Sequence, residues 1–175
     1  MATLREIKKE FFTLSKKEQE QLIKEIYTFS KDMKIFLDMR LIGSGEEKYI
    51  KKITKATESC TPKGYPKDIK VKNVNSILAK AKKSKVSDKT LCEMEWIAFD
   101  GYMTFLNDYG GGPEIYEDKI YDHLNSYLLL LEKTVTDREY SDKLEYVSNY
   151  LIGHTNMYYD HIWELFEDIT GLDLY

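Results

Sequence analysis

Cysteine, proline and long apolar runs are all scarce in this sequence. Cys60 and Cys92 stand alone and far apart, with no C-x-x-C pair. That excludes a zinc ribbon or a dithiol redox motif, and two free thiols in a cytoplasmic protein are the expectation. The longest strongly apolar run, Tyr127-Leu128-Leu129-Leu130-Leu131, is far too short to cross a bilayer, so no membrane partner is expected. The opening Leu4-Arg5-Glu6-Ile7-Lys8-Lys9-Glu10 is amphipathic and mixed in charge, unlike a secretory signal. There is no G-x-S-x-G, no P-loop and no glycine-rich dinucleotide turn. Gly110-Gly111-Gly112 follows a helical stretch and precedes Pro113, so it reads as a helix stop rather than a phosphate cradle. Apolar and polar residues do not alternate, and β-branched residues are scattered, so no strand is expected.

What the sequence does have is helical periodicity. Leu4, Ile7, Phe11 and Leu14 mark one face of a first helix, and Ser15-Lys16-Lys17-Glu18 is a capping-box pattern opening a second. Ser30 caps a third, with apolar residues through Leu41, which Gly43-Ser44-Gly45 stops. Glu46 and Glu47 suit the positive end of a fourth helix that buries Tyr49, Ile50, Ile53 and Ala56. The clearest loop is 60–67, with two of the prolines. Further helices are expected over Val74–Lys83, Leu91–Asp108 and Glu114–Thr136, and then a last section capped by Thr136 or Asp137 and broken near Gly153. The fold class expected is all-α, with seven to nine helices in antiparallel pairs, as a bundle or an irregular helical-hairpin array. Residues 1–175 read as a single domain, and any boundary between sub-domains falls near 59–67.

The net charge of −4 conceals a segregation. Residues 51–89 carry 12 lysines against Glu58, Asp68 and Asp88, whereas residues 90–175 carry 4 basic and 18 acidic side chains. A lysine-rich segment can bind phosphate or nucleic acid, or can simply face the acidic half of the same protein or of a partner. The segment holds no arginine, the residue most used for reading bases and clamping phosphate, which favours the plainer alternative.

The stretch 140–169 carries an apolar stripe through Tyr140, Leu144, Val147, Leu151, Tyr158, Leu165 and Ile169, and His154 and His161 fill its gaps. The two histidines lie about 10 Å apart along a helix axis, too far for one metal ion. His161 and Glu164 are the better local pair, and no Glu-x-x-His repeat supports a dinuclear centre. No metal and no cofactor is expected. Glu93 and Glu95 face different sides of a helix, and Asp118 and Asp122 read as solvated surface. Eleven of the fourteen tyrosines lie between Tyr102 and Tyr175. Tyrosine joins apolar area to a polar tip and is enriched at interfaces. Tyr146, Tyr150, His154, Tyr158, Tyr159, His161, Trp163 and Glu164 are therefore the candidate binding residues, set against the alternative that these tyrosines fill a core whose margins reach water.

The order of several short segments carries a resemblance. Leu14-Ser15-Lys16-Lys17-Glu18 opens a helix that runs to Tyr27, and Lys34-Ile35-Phe36-Leu37 precedes a polar turn and Glu46-Glu47-Lys48-Tyr49. A basic loop from Pro62 to Lys67 leads into a lysine-rich helix, then come Asn107-Asp108-Tyr109-Gly110 and Tyr121-Asp122-His123-Leu124. Over nearly its full length the chain resembles a bacterial domain-of-unknown-function family of small, all-helical proteins. It departs at Gly111-Gly112, where the family has an acidic residue, and at Gly153-His154-Thr155, where the family has a segment rich in tryptophan and glycine. The resemblance implies an all-helical fold and a bacterial cytoplasmic setting, and it implies no activity.

The function these features favour is non-catalytic binding of another protein through the tyrosine-rich face. Two alternatives stand beside it: a nucleic-acid-associated protein using residues 51–89, and a metal-dependent enzyme centred on His154, His161 and Glu164.

Overall fold

The computed structural model of the chain describes residues 2–154 and 160–174. Among them the architecture is all-α, with nine helices and no strand beyond an isolated bridge between Cys60 and Pro66. No helix among the described residues is long and apolar enough to cross a membrane. Two compact units divide the chain, Met1–Gly45 and Glu46–Tyr175.

The first unit holds α1 (Leu4–Thr13), α2 (Lys16–Phe29) and α3 (Lys31–Leu37). Reciprocal capping starts the first two. Thr3 and Glu6 satisfy each other's backbone N–H groups on α1, and Ser15 and Glu18 do so on α2. Ser30 ends α2 and caps α3, its Oγ accepting from the Met33 N–H at 3.1 Å. Beyond α3 the chain widens into a π-helical turn over Asp38–Ile42, which Gly43 closes at φ 70°. The third helix is thus shorter than its apolar run suggested. Across α1, α2 and α3 only Ile35 is buried.

The second unit holds α4 (Glu47–Ala56), α5 (Val71–Lys83), α6 (Asp88–Tyr109), α7 (Ile115–Thr134), α8 (Asp137–Gly153) and α9 (Asp160–Thr170). Its axis is the α6–α7 hairpin. Gly110, at φ 67°, ends α6 by accepting the left-handed conformation that other residues resist. Cys92 contacts Tyr127, Glu95 contacts His123, and Tyr102 contacts Tyr116. One residue number rises as the other falls, so the two helices run antiparallel. Met94, Ala98, Phe99 and Tyr102 meet Ile120, Leu124 and Leu128 in a core sealed from solvent. Burying each such side chain is worth roughly 1.5–3 kcal/mol.

Two polar groups lie inside this apolar seam. His123 Nδ1–H donates to Glu95 Oε2 at 2.7 Å, and Lys82 Nζ–H donates to the other carboxylate oxygen at 3.1 Å. Glu95 is 2% exposed as a residue and His123 5%. Burial alone would raise the Glu95 carboxyl; the His123 hydrogen bond, its charge and Lys82 outweigh that and hold it below its ordinary value. Glu93 and Glu95 do face different sides of α6: Glu95 points inward and Glu93 is exposed.

The other helices are pinned to this hairpin. Glu46 accepts hydrogen bonds from the Ser87 N–H at 2.7 Å and the Ser87 hydroxyl at 2.6 Å, and also from the Thr90 hydroxyl, so the start of α4 is tied to the start of α6. Ser87 itself is the N-cap of α6. The end of α4 approaches α6 closely: a Cβ on Gly101 would stand 2.5 Å from Thr57 Cβ. Thr136 caps α8 in a reciprocal pair with Glu139, and α8 ends at Gly153. On α9 the buried face is Ile162, Leu165 and Phe166. His161 lies outside it and is exposed, so the stripe drawn through His161 is off by one position.

The loop 59–67 is not a boundary between units. It folds back on itself through Lys67 N–H to Ser59 O and Thr61 N–H to Tyr65 O, both 2.8 Å. Tyr109 Oη–H also donates to Ser59 O at 3.2 Å, holding the loop against the end of α6. Boundary and loop differ because hydrogen bonds, not proline content, decide where a chain comes apart.

Two outcomes follow for the second unit, and urea denaturation followed by the emission of Trp96 and Trp163 reads both, since both tryptophans lie in it. Glu95→Ala leaves His123 buried without its partner and costs about 3–5 kcal/mol, whereas the joint Glu95→Leu, His123→Leu change costs far less. Because the Glu95 carboxyl is held down, its contribution is complete above its ordinary value of 4.5 and is lost as pH falls through the lowered native value. The double variant therefore shows a weaker acid dependence than the wild type. Gly101→Ala destabilises by about 1–3 kcal/mol through overpacking, although alanine favours helix by about 1 kcal/mol.

Candidate nucleic-acid interface

A groove with a volume of about 770 Å³ lies between α4 and α5 in the second unit. Tyr49, near the start of α4, bonds through Oη to Ser84 Oγ, just past the end of α5, at 2.8 Å. That contact sets the two helices side by side in opposite directions. Tyr49, Ala56 and Ile77 give the groove its apolar lining.

Its walls are basic. Lys52 and Lys55 come from α4, Lys67 and Lys70 from the stretch between the helices, and Lys80 from α5. Among the described residues Asp68 is the one acidic residue lining it. Lys52 Nζ sits 5.4 Å from the centre of the Tyr49 ring, a cation–π contact that steadies it. Lys67 bonds Glu58 at 3.2 Å, which offsets its charge. Five lysines thus line one groove. Tyr65, two residues before Lys67, is 66% exposed. Lys82 pairs with Glu95 of the acidic half, and Lys67 pairs with Glu58 within the segment.

The predicted aromatic site is distributed differently. Tyr150 Oη–H donates to Asp100 Oδ1 at 2.8 Å, and its ring meets Trp96 and Phe99. Burial, the largest cause, and the Asp100 carboxylate push the Tyr150 hydroxyl well above its ordinary value. His154 stacks on Tyr150 with centroids 4.1 Å apart, and its Nδ1–H donates to the Tyr150 carbonyl at 2.6 Å. Tyr146 is exposed yet packs its ring 5.5 Å from Trp96. These three thus form one cluster on α6 and α8, much of it used in internal packing. His161 belongs elsewhere, with its ring 6.4 Å from that of Tyr121 on α7. Trp163 is half-buried and Glu164 exposed on α9. Tyr158 and Tyr159 lie outside the described residues.

Among the described residues no three His, Cys, Asp or Glu side chains gather closely enough to hold a metal ion. The Glu95–His123 pair has the form of a base and its orienting carboxylate. Its other nitrogen, His123 Nε2, is sealed from solvent and has no hydrogen-bond partner among the described residues. Cys92 is buried, and burial pushes its thiol up to about 11, which keeps it protonated and unreactive. Cys60 is exposed.

The sequence signal for the buried pair was present. Glu95 falls on the stripe Leu91, Ala98 and Tyr102 at helical spacing, and His123 sits beside Ile120, Leu124 and Tyr127. A lone acid on one apolar stripe and a lone base on the next point at each other. The two thiols give a direct check on burial. Ellman's reagent titrates Cys60 rapidly in the native protein and Cys92 only after denaturant is added; rapid reaction of both would contradict the packing of α6 on α7.

Against protein-family models, curated proteins and solved structures, the chain finds no match.

Proposed function

We propose that the protein binds single-stranded nucleic acid along the α4–α5 groove. One observation carries the reading: lysines from α4, from the intervening stretch and from α5 line the same groove. A cleft lined by charge of one sign focuses the field and concentrates anions there. Phosphate contacts by lysine are point-charge contacts, which suits recognition of a backbone rather than of base edges. The absence of arginine from residues 51–89, which weighs against base reading, is consistent with such sequence-tolerant binding. Tyr65 adds an exposed ring beside the lysine-lined stretch, and a ring of that kind stacks an unpaired base.

Binding of another protein through the tyrosine-rich face has less support, since Tyr150 and His154 are engaged with Trp96, Asp100 and each other.

Fluorescence anisotropy of a labelled single-stranded oligonucleotide tests the proposal. Each phosphate neutralised on a single strand steepens the fall of log affinity with log salt by about 0.7. Lys55→Glu with Lys70→Glu lowers affinity by about tenfold or more and flattens that slope. Tyr65→Ala weakens single-strand binding while Tyr65→Phe preserves it, because stacking uses the ring and not the hydroxyl. Affinity that ignores salt, or that survives both lysine changes, would overturn the reading. Equal affinity for poly-aspartate would redirect it to an acidic protein.

A further inference from the structure

A cavity of about 320 Å³ opens between the start of α6, the end of α7 and the middle of α8. Small-molecule sites span about 300–1,000 Å³ and combine apolar, aromatic walls with a few polar groups. This cavity is at the small end of that range and is built in the same way. Trp96, Tyr127 and Tyr146 supply three rings. The Trp96 ring lies 5.0 Å from that of Tyr127 and 5.5 Å from that of Tyr146. Tyr127, Leu131 and Cys92 are buried and form the floor. Tyr146 is 54% exposed, so its ring still has area to cover.

The charged residues stand at the mouth, where they are exposed: Lys89 and Glu93 from α6, and Lys143 from α8. Two cations against one anion favour a ligand with a single negative charge. Glu139 also senses both lysines, but it does not line the cavity, and its Oε2 accepts from the Thr136 N–H and hydroxyl at 3.1 and 2.9 Å. The floor shows which sign dominates. Burial raises the Cys92 thiol most, and of the charges acting on it the Lys143 ammonium, which lowers it, is the strongest, ahead of Glu95 and Glu93. Three rings could otherwise cup an organic cation, and the lysines oppose that occupant.

We propose that this pocket binds a small aromatic carboxylate, with its ring system against Trp96, Tyr127 and Tyr146 and its carboxylate at Lys89 and Lys143. Ring-to-ring contact favours an aromatic body over an alkyl chain of equal area, and a lysine meets a carboxylate through charge-assisted hydrogen bonds. The pocket shares no lining residue with the α4–α5 groove, so either proposal can fail without the other.

Titration calorimetry of the full chain with 2-naphthoate as the probe tests it. Naphthoate should bind one to one, and at least about fivefold more tightly than 2-naphthamide or 2-naphthylmethylammonium, which keep the rings and change the charge. Octanoate, which keeps the charge and lacks the rings, should bind more weakly than naphthoate. Lys89→Gln with Lys143→Gln should bring naphthoate down to the affinity of the amide and leave the amide unmoved. Both lysines are exposed, so the double variant has little packing to lose. Thr134→Phe, which fills the pocket from its wall, should abolish binding. In the amide spectrum the indole N–H of Trp96 should shift on saturation while that of Trp163, outside the pocket, stays in place. Lys55→Glu with Lys70→Glu should leave naphthoate affinity unchanged. No binding of naphthoate, equal affinity for the amide, the ammonium or octanoate, or an affinity indifferent to the Lys89 and Lys143 changes would overturn the proposal.

Discussion

The second unit depends on the packing of α6 against α7. That hairpin supplies most of the fully buried side chains, among them Phe99, Tyr102, Tyr116, Leu124 and Leu128. Each neighbouring element is attached to it by a specific contact. Glu46 ties down the start of α4, and Gly101 lets the end of α4 come close. Lys82 on α5 reaches Glu95, and Trp96 anchors Tyr146 and Tyr150 of α8. The basic groove rests on the hairpin as well as on the direct Tyr49–Ser84 bond, because α4 and α5 are each also held by α6.

The Glu95–His123–Lys82 array shows how a buried charge is tolerated in that seam. Desolvation opposes the carboxylate, and two donors on opposite sides overcome it. Such arrays add little net stability compared with apolar side chains of the same shape, but an array stripped of one member is costly. Its effect is on register. A shift of α7 along α6 by one turn would take His123 away from Glu95 and leave the carboxylate with Lys82 alone, so the native alignment is favoured over near alternatives.

Much of the helical pattern could be read from the sequence, for local reasons. The capping pair Ser15 with Glu18, Ser30 before α3 and Gly110 after α6 act within a few residues of themselves, and the helices begin and end as those signals indicate. Longer-range features were less legible. The proline-rich loop 59–67 looked like a boundary, but Tyr109, fifty positions away, holds it in place. His161 looked like part of a stripe, because a heptad from His154 passes through it; the helix ends at Gly153 and α9 sets its own phase. The lysine-rich segment was visible as composition, yet spacing alone could not show that α4 and α5 aim their lysines into the same groove. Glu95 and His123 were each visible as a polar residue on an apolar stripe, and their pairing required knowing that α6 and α7 are partners.

The charge segregation of the sequence becomes, in three dimensions, a basic groove carried on an acidic helical body. The central claim is that this groove meets a nucleic-acid backbone. Amide chemical-shift mapping during titration with a single-stranded oligonucleotide tests it most directly. The account predicts shifts confined to Tyr49–Lys80, including Lys55, Tyr65 and Lys70, that fade as salt is raised. Shifts centred instead on Tyr146, Tyr150 and His154, or none at low salt, would contradict it.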